Sequence, residues 1–105
     1  MSIDHAKIRR ESMRWQLIAY LNKARPHTTH ENRLLDTLRV IFGDDATPME
    51  IRRELDYLAD RKLVELTKEP SGTWYADLTR WGVDLAEYTV ECDPGIARPV
   101  KYWAE

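Results

Sequence analysis

The sequence has few residues that could stabilise it covalently or hold it in a membrane. Its single cysteine, Cys92, excludes an internal disulfide and a cysteine-rich zinc site. No apolar run approaches the roughly 20 residues that cross a bilayer. The N-terminal stretch MSIDHAKIRRE also lacks the apolar region of a signal peptide. We therefore expect a cytoplasmic protein that makes no membrane contact.

Motifs for catalysis or cofactor binding are also missing. No Gly-rich phosphate loop, nucleophile elbow or zinc spacing occurs in the chain. His27 and His30 are three residues apart, but nothing supplies firm third and fourth ligands for a metal. Cys92 has no obvious activating base nearby in the sequence. The sequence predicts no catalytic residue, no metal site and no cofactor, and hence a protein that is not an enzyme.

The chain has no excess of positive charge. Its net charge of −2 falls short of what is typical of a domain that binds nucleic acid. The positive charge is concentrated in residues 1–30, which hold six Lys or Arg against two carboxylates, whereas 31–69 and 70–105 are each net negative. Arg9, Arg10 and Arg14 are thus candidates for phosphate contacts from the first helix.

The remaining composition, 43% hydrophobic and 32% charged over 105 residues, indicates one small globular domain. Asp4–Ala24 predicts a first helix with two apolar faces. The broader face, which is expected to build the core, holds Met13, Leu17, Tyr20, Leu21 and Ala24, and the opposite face holds Ile8, Trp15 and Ala19. The second face requires a cover, either a partner subunit or the C-terminal tail.

Two further helices are predicted from caps and spacing. Thr28, with Glu31 three residues later, is a possible N-cap for a helix that ends at Gly43. Thr47, followed by Pro48 and Glu50, has the pattern of a capping box with proline at the first helical position. The buried stripe of this third helix is predicted to contain Ile51, Leu55, Leu58 and Ala59.

A hairpin and a last helix follow. Residues 63–66 predict a strand, 70–73 a turn, and 74–78 a return strand with alternating apolar residues. Thr79 is expected to cap the last helix, and Asp93-Pro94-Gly95 fits a type II turn. We expect a domain over residues 4–88 and an extended tail over 89–105 that packs on the domain or on a partner.

The segment EIRRELDYLADRKLVEL (50–66) resembles the third helix and first wing strand of winged helix-turn-helix regulators of the ArsR and PadR kinds. ADLTRWGVDLAE (76–87) resembles the join between wing and last helix in those proteins. The LTRWG join, the closing PGIARP and the small size are similar to short winged-helix proteins of Mu-like phages and prophages. The resemblance implies an α+β, mainly α fold: a winged helix-turn-helix with a two-stranded wing and an extended C-terminal tail.

In this superfamily the third helix enters the major groove of double-stranded DNA. Guanidinium forks recognise guanine or phosphate, and wing hydroxyls and cations contact the backbone. The expected function is that of a sequence-reading DNA-binding regulator of the phage or prophage type. The DNA contacts expected from the third helix and the wing are Met49, Arg52, Arg53, Asp56, Lys68, Ser71 and Thr73.

Carboxylates on the same helix face leave an alternative open. Asp56 and Asp60 oppose phosphate binding, and Asp56 follows Arg52 by four residues and Arg53 by three, so ion pairs with both arginines are expected. The alternative is an adaptor that binds another protein without DNA. For either function a homodimer is possible, and the aromatic residues expected at an interface are Trp15, Trp81, Tyr102 and Trp103.

Overall fold

The computed structural model describes residues 3–101. Within them the chain forms four helices and a three-stranded antiparallel sheet. In chain order the elements are α1 (His5–Ala24), β1 (Thr29–His30), α2 (Glu31–Phe42), α3 (Pro48–Asp60), β2 (Val64–Lys68), β3 (Trp74–Leu78) and α4 (Arg80–Ala86). The α+β, mainly helical architecture predicted from the sequence is confirmed.

Helix α1 runs through the centre of the core. Asp4 caps it by accepting the N–H of Lys7 at 3.0 Å. Met13, Leu17 and Leu21 are buried as predicted, but Tyr20 and Ala24 are only half-buried, and Ile18, which neither predicted face contained, is fully buried. The buried face is therefore rotated slightly from the predicted one, because α1 packs against α2, α3, α4 and β3 together.

The second face of α1 is covered in part by residues 88–97, while Ile8 on the same face remains 52% exposed. The ring of Trp15 meets the ring of Tyr88 edge-on, with centroids 6.1 Å apart. The N–H of Ala97 donates to the backbone oxygen of Glu11 at 3.1 Å, and Ile96 is buried in the core. Residues of the same chain therefore provide part of the predicted cover.

The start of α2 differs from the prediction. Thr28 is not the N-cap; its hydroxyl donates to Asp77 instead, and the ring of His30 caps α2 by accepting the N–H of Asn32 at 3.0 Å. Thr29 and His30 form β1, which pairs with β3 at Ala76 and Tyr75. The sheet order is β1-β3-β2, so the predicted two-stranded wing gains a third strand. A two-residue strand is too short to leave an alternating pattern in the sequence.

The turn between α2 and α3 follows the predicted signals. Gly43 ends α2 in a conformation with φ of 103°, which favours glycine. Thr47 caps α3 by accepting the N–H of Glu50 at 3.1 Å, and Pro48 occupies the first turn. Ile51, Leu55 and Leu58 are buried as predicted, whereas Ala59 is half-buried.

The hairpin places the wing beside α3. β2 pairs antiparallel with β3, with Leu66 opposite Ala76. β2 starts at Val64 and extends to Lys68, two residues beyond the predicted strand, because the pairing with β3 continues to Trp74. The hydroxyl of Thr79 then accepts the N–H of Gly82 at 3.2 Å and caps α4, as predicted.

The turn after α4 is present but is not of type II. The N–H of Ile96 donates to the backbone oxygen of Asp93 at 3.2 Å, which closes the turn. Gly95 does not adopt the positive φ that the third position of a type II turn requires. Its lack of a side chain matters for another reason: a Cβ there would meet the hydroxyl of Tyr57. Within residues 3–101 no helix is both long and apolar enough to cross a membrane.

Candidate nucleic-acid interface

The face of α3 that points away from the core, together with the β2–β3 wing, forms one continuous surface. Met49 stands at the start of α3 and is 80% exposed. One turn along the helix lies Arg53, and a further turn on lies Asp56. The Nζ of Lys68 in β2 lies 3.3 Å from Oδ1 of Asp56, so this pair connects wing and helix. The fold thus brings four of the predicted contact residues to one surface.

The guanidinium of Arg52 is engaged inside the domain. It donates to Glu31 of α2 through Nε–Oε1 and Nη2–Oε2, both at 2.7 Å, and to the backbone oxygen of Gly72 in the wing. It also lies over the ring of Trp74, 4.7 Å from the centroid. This bonding lowers the pKa of Glu31 and raises that of Arg52, chiefly through the hydrogen bonds between the two side chains. Arg52 therefore joins α2, α3 and the wing.

Arg53 also forms an ion pair, but at a longer distance and with a more exposed side chain than Arg52. Its Nε lies 3.1 Å from Oε2 of Glu54, while its side chain remains 61% exposed. The other oxygen of Glu54 accepts from Nε of Arg14 at 2.7 Å. The pairing of both arginines with Asp56, predicted from the spacing, is therefore wrong. Arg52 instead pairs with Glu31 of α2, which the tertiary packing supplies, and Arg53 pairs with Glu54, its neighbour in the sequence.

The burial of Glu54 is the feature of the candidate site that the sequence prediction missed. Its side chain is 1% exposed, and the ion-paired Arg14 also donates from Nη1 to the backbone oxygen of Gly95 at 2.9 Å. The Arg14 guanidinium stacks on the ring of Tyr57, with Cζ 3.5 Å from the centroid. A usable signal was present, because Glu54 follows Ile51 by three residues and precedes Leu58 by four, on the same helical stripe.

Arg9, a second arginine of α1, also forms an ion pair with a carboxylate of α3. Arg9 donates to both oxygens of Glu50, at 2.7 and 3.2 Å, and its Nη2 lies 3.7 Å from Asp45. The hydrogen bonds from Arg9 lower the pKa of Glu50, and those to Glu50 raise the pKa of Arg9. Arg9 and Arg14, expected at phosphates, instead compensate carboxylates of α3.

The wing tip contributes hydroxyls beside the cations. Ser71 is exposed and Thr73 is half-buried, on either side of Gly72 at a φ of 95°. Next to this turn, the ring of Trp74 faces Arg52 and also the Nζ of Lys68, which is 4.1 Å from the centroid. The wing is thereby held close to α3 by aromatic, ionic and backbone contacts.

Of the four predicted interface aromatics, the structure describes Trp15 and Trp81, which lie on different helices. Trp15 packs inside the molecule against Tyr88. Trp81 lies on α4, is 54% exposed, and has the guanidinium of Arg80 5.3 Å from its ring centroid. Tyr102 and Trp103 lie outside the described residues.

The histidines and the cysteine were the other candidates for a metal site or a reactive group. Among residues 3–101 no cluster of three or more His, Cys, Asp or Glu has the geometry to hold a metal ion. Cys92 is half-buried, and burial raises the pKa of its thiol. His30 uses Nδ1 to cap α2.

Comparison with known proteins supports the architecture. No family of known proteins matches this sequence, and no curated protein does either. The solved structure of ZitR from Lactococcus lactis, a double mutant in apo form, is similar with a TM-score of 0.59 at 13% sequence identity. The similarity covers 78% of this chain and 57% of ZitR, so the chain spans little more than half the length of that structure. At this identity the likeness shows the fold alone, and the chain has an α+β winged-helix fold.

Proposed function

We propose that this protein binds double-stranded DNA through the N-terminal half of α3 and the wing, with Arg53 and Lys68 as its cations. The observation that supports the proposal most is the sharing of Glu54. Because Arg14 holds one oxygen of that buried carboxylate, Arg53 can leave the other without stranding an unpaired charge. The exposed fork of Arg53 is then free for a phosphate or a guanine edge.

Lys68 is available on similar grounds. It and Asp56 are each 51% exposed, and a pair of that exposure contributes about 1 kcal/mol or less to stability. A phosphate can therefore compete with Asp56 for the ammonium group. The hydroxyls of Ser71 and Thr73 lie in the same wing, and Met49 offers an apolar contact of the kind that a thymine methyl accepts.

Arg52 has a supporting part in this proposal. With Nε and Nη2 bound to Glu31 and Gly72, it holds the wing in place relative to α3. The spacing between Arg53 and Lys68 depends on that placement. We therefore assign Arg52 to positioning, and Arg53 with Lys68 to the contact itself.

The carboxylates Asp56 and Asp60 set the expected affinity. They share the outward face of α3 with a single exposed cation, so few phosphates are neutralised. Two phosphate contacts give a slope of about −2 in log K against log salt. We infer weak binding to arbitrary sequence, with useful affinity reserved for a preferred site. On the LTRWG and PGIARP motifs we extend the proposal to a transcription regulator of the phage or prophage type.

Fluorescence anisotropy with a labelled duplex of mixed sequence, titrated at several salt concentrations, tests this proposal. Arg53→Ala is expected to weaken binding about tenfold, whereas Lys23→Ala, at the far end of α1, leaves it unchanged. Asp60→Asn is expected to strengthen binding because it removes a repelling charge. No salt-sensitive binding at low ionic strength, or equal affinities of the two alanine variants, would overturn the proposal.

A second candidate function is that of an adaptor that presents the same face to another protein. The exposed Met49 and the carboxylates of Asp56 and Asp60, farther along the same helix face, favour it, because a face with an apolar residue and carboxylates suits a basic protein surface. Asp56→Lys distinguishes the two functions, because it is expected to change the affinities for DNA and for a protein partner in opposite directions. It is expected to raise the affinity for DNA and to abolish binding of a basic partner.

A further inference from the structure

A groove on another side of the molecule has no role in the proposed DNA contact. It has a volume of about 450 Å³ and lies between the turn that follows α3 and the segment that follows α4. Leu63 and Leu85 line it and are buried. Trp81 and Val90 also line it, yet they remain 54% and 45% exposed. An exposed tryptophan beside other apolar side chains is more typical of a protein interface than of ordinary surface.

Charges of both signs line the same groove. Arg61 and Lys62 come from the turn after α3, and Glu91 and Asp93 come from the segment after α4. The guanidinium of Arg61 packs on the ring of Tyr57, with Cζ 3.6 Å from the centroid. None of these four charges takes part in the ion pairs found within residues 3–101. The groove therefore carries two cations and two carboxylates that form no ion pair with any other described residue.

A surface of this composition is complementary to itself. In a two-fold dimer the same surface of both copies forms the interface. If one residue contacts a second residue of the other copy, the reverse contact is made as well. We propose that two copies of this chain associate through this groove. Trp81 of each copy packs into the groove of the other, and Arg61 with Lys62 faces Glu91 with Asp93 of the second copy. Charge complementarity across the two-fold axis selects a second copy over an unrelated protein.

This surface replaces the second face of α1 as the site of dimerisation. The Trp15 part of that face is occupied by Tyr88, and Ala97 binds the adjacent Glu11, so only Ile8 remains exposed there, whereas the groove beside Trp81 is open. The groove adjoins the C-terminal end of α3, and Met49 stands at the other end, about 18 Å away along a helix of 13 residues. Pairing through the groove therefore leaves the proposed DNA-binding face free.

Sedimentation equilibrium of the full chain from micromolar to millimolar concentration tests the proposal directly. Trp81→Ser is expected to weaken self-association by about 30-fold or more, the effect of removing a central aromatic anchor. Val40→Ser is the matched control, because Val40 is highly exposed on α2 and is not among the residues that line the groove. A chain that stays monomeric throughout, or equal association of the two variants, overturns the proposal.

Charge reversal tests the pairing itself. One variant carries Arg61→Glu and Lys62→Glu, and a second carries Glu91→Lys and Asp93→Lys. Each alone is expected to associate about tenfold or more weakly, because like charges face each other twice in its dimer. An equimolar mixture is expected to regain association, since both sets of charges are then opposite. Circular dichroism verifies that each variant is folded. A mixture that associates no better than either variant alone excludes this surface, and neither result depends on DNA binding.

Discussion

Arg52 and Glu31 meet as a two-bond fork, Nε to Oε1 and Nη2 to Oε2, each at 2.7 Å. The pair joins α3 to α2, and both partners also bind the wing. Arg52 donates to the backbone oxygen of Gly72, and Glu31 accepts the N–H of Trp74 at 2.9 Å. One ion pair thus sets the position of three elements relative to one another.

Arg52→Lys is expected to lower the free energy of unfolding by about 1–2 kcal/mol, because an ammonium cannot make the two parallel bonds to Glu31. Denaturation in urea measures the change. Arg33→Lys, at an exposed position of α2, is the control and should stay within about 0.5 kcal/mol of the parent. Equal effects of the two substitutions would contradict the role given to the fork.

Acid is expected to destabilise the fold through Glu31 and Glu50. The hydrogen bonds from Arg52 and Arg9 hold the pKa of these carboxyls below their ordinary value of 4.5. In the window between the folded and the ordinary pKa, the unfolded chain binds more protons than the native one. The stabilisation is therefore complete above about pH 4.5 and is lost as the pH falls through the lowered values.

Urea denaturation at a series of pH values measures this dependence. Glu31→Gln removes one of the two titrating groups, so its stability should fall less steeply with acid than that of the parent. Asp36→Asn, an exposed carboxylate on the same helix, serves as the control. A Glu31→Gln variant with the parent's pH dependence would show that the Arg52 pair is not formed.

Arg14→Met is expected to cost about 3 kcal/mol, because it leaves the buried carboxylate of Glu54 with only the exposed Arg53. The backbone oxygen of Gly95 loses its donor as well. Arg10→Met on the same helix is the control, since Arg10 forms none of the ion pairs found within residues 3–101. Adding Glu54→Leu to Arg14→Met should recover part of the loss. If the double variant were less stable than the single one, an uncompensated charge would not be the cause.

Gly82→Ala is expected to destabilise by about 2 kcal/mol, although alanine is the better helix former. A Cβ at Gly82 would meet the backbone oxygen of Leu63 and would lie 2.7 Å from Cδ2 of Leu78. The sign of the effect is therefore diagnostic. In an open helix the same substitution would stabilise by about 1 kcal/mol. A higher melting temperature for the variant would show that α4 does not approach Leu63 so closely.

Features set by neighbouring residues were predicted well from the sequence. Thr47 and Thr79 cap their helices, and Gly43 ends α2, because each needs only partners within a few residues. The order of the helices and the wing followed from these signals. Thr28 failed as a cap because a partner distant in sequence, Asp77 on β3, accepts its hydroxyl.

The ion pairs of the candidate site could not be predicted in this way. Spacing within α3 favoured Asp56 as the partner of both arginines, since it is one helical turn from each. The structure instead pairs Arg52 with Glu31, 21 positions away in the sequence, and connects Glu54 with Arg14, 40 positions away. Such partners depend on how helices pack, and one sequence alone does not contain that information.

The sequence by itself determined the fold class, the caps of α3 and α4 and the modest total charge, because these depend on local caps, apolar spacing and composition. Only the tertiary structure decided which cationic side chains remain exposed and able to contact a phosphate. Packing placed Glu31, Glu50 and Glu54 against Arg52, Arg9 and Arg14, and these pairs left Arg53 and Lys68 as the exposed cations of the α3–wing surface. A charge is neutralised by whichever opposite charge the fold brings within bonding distance, and that distance is a property of the folded chain.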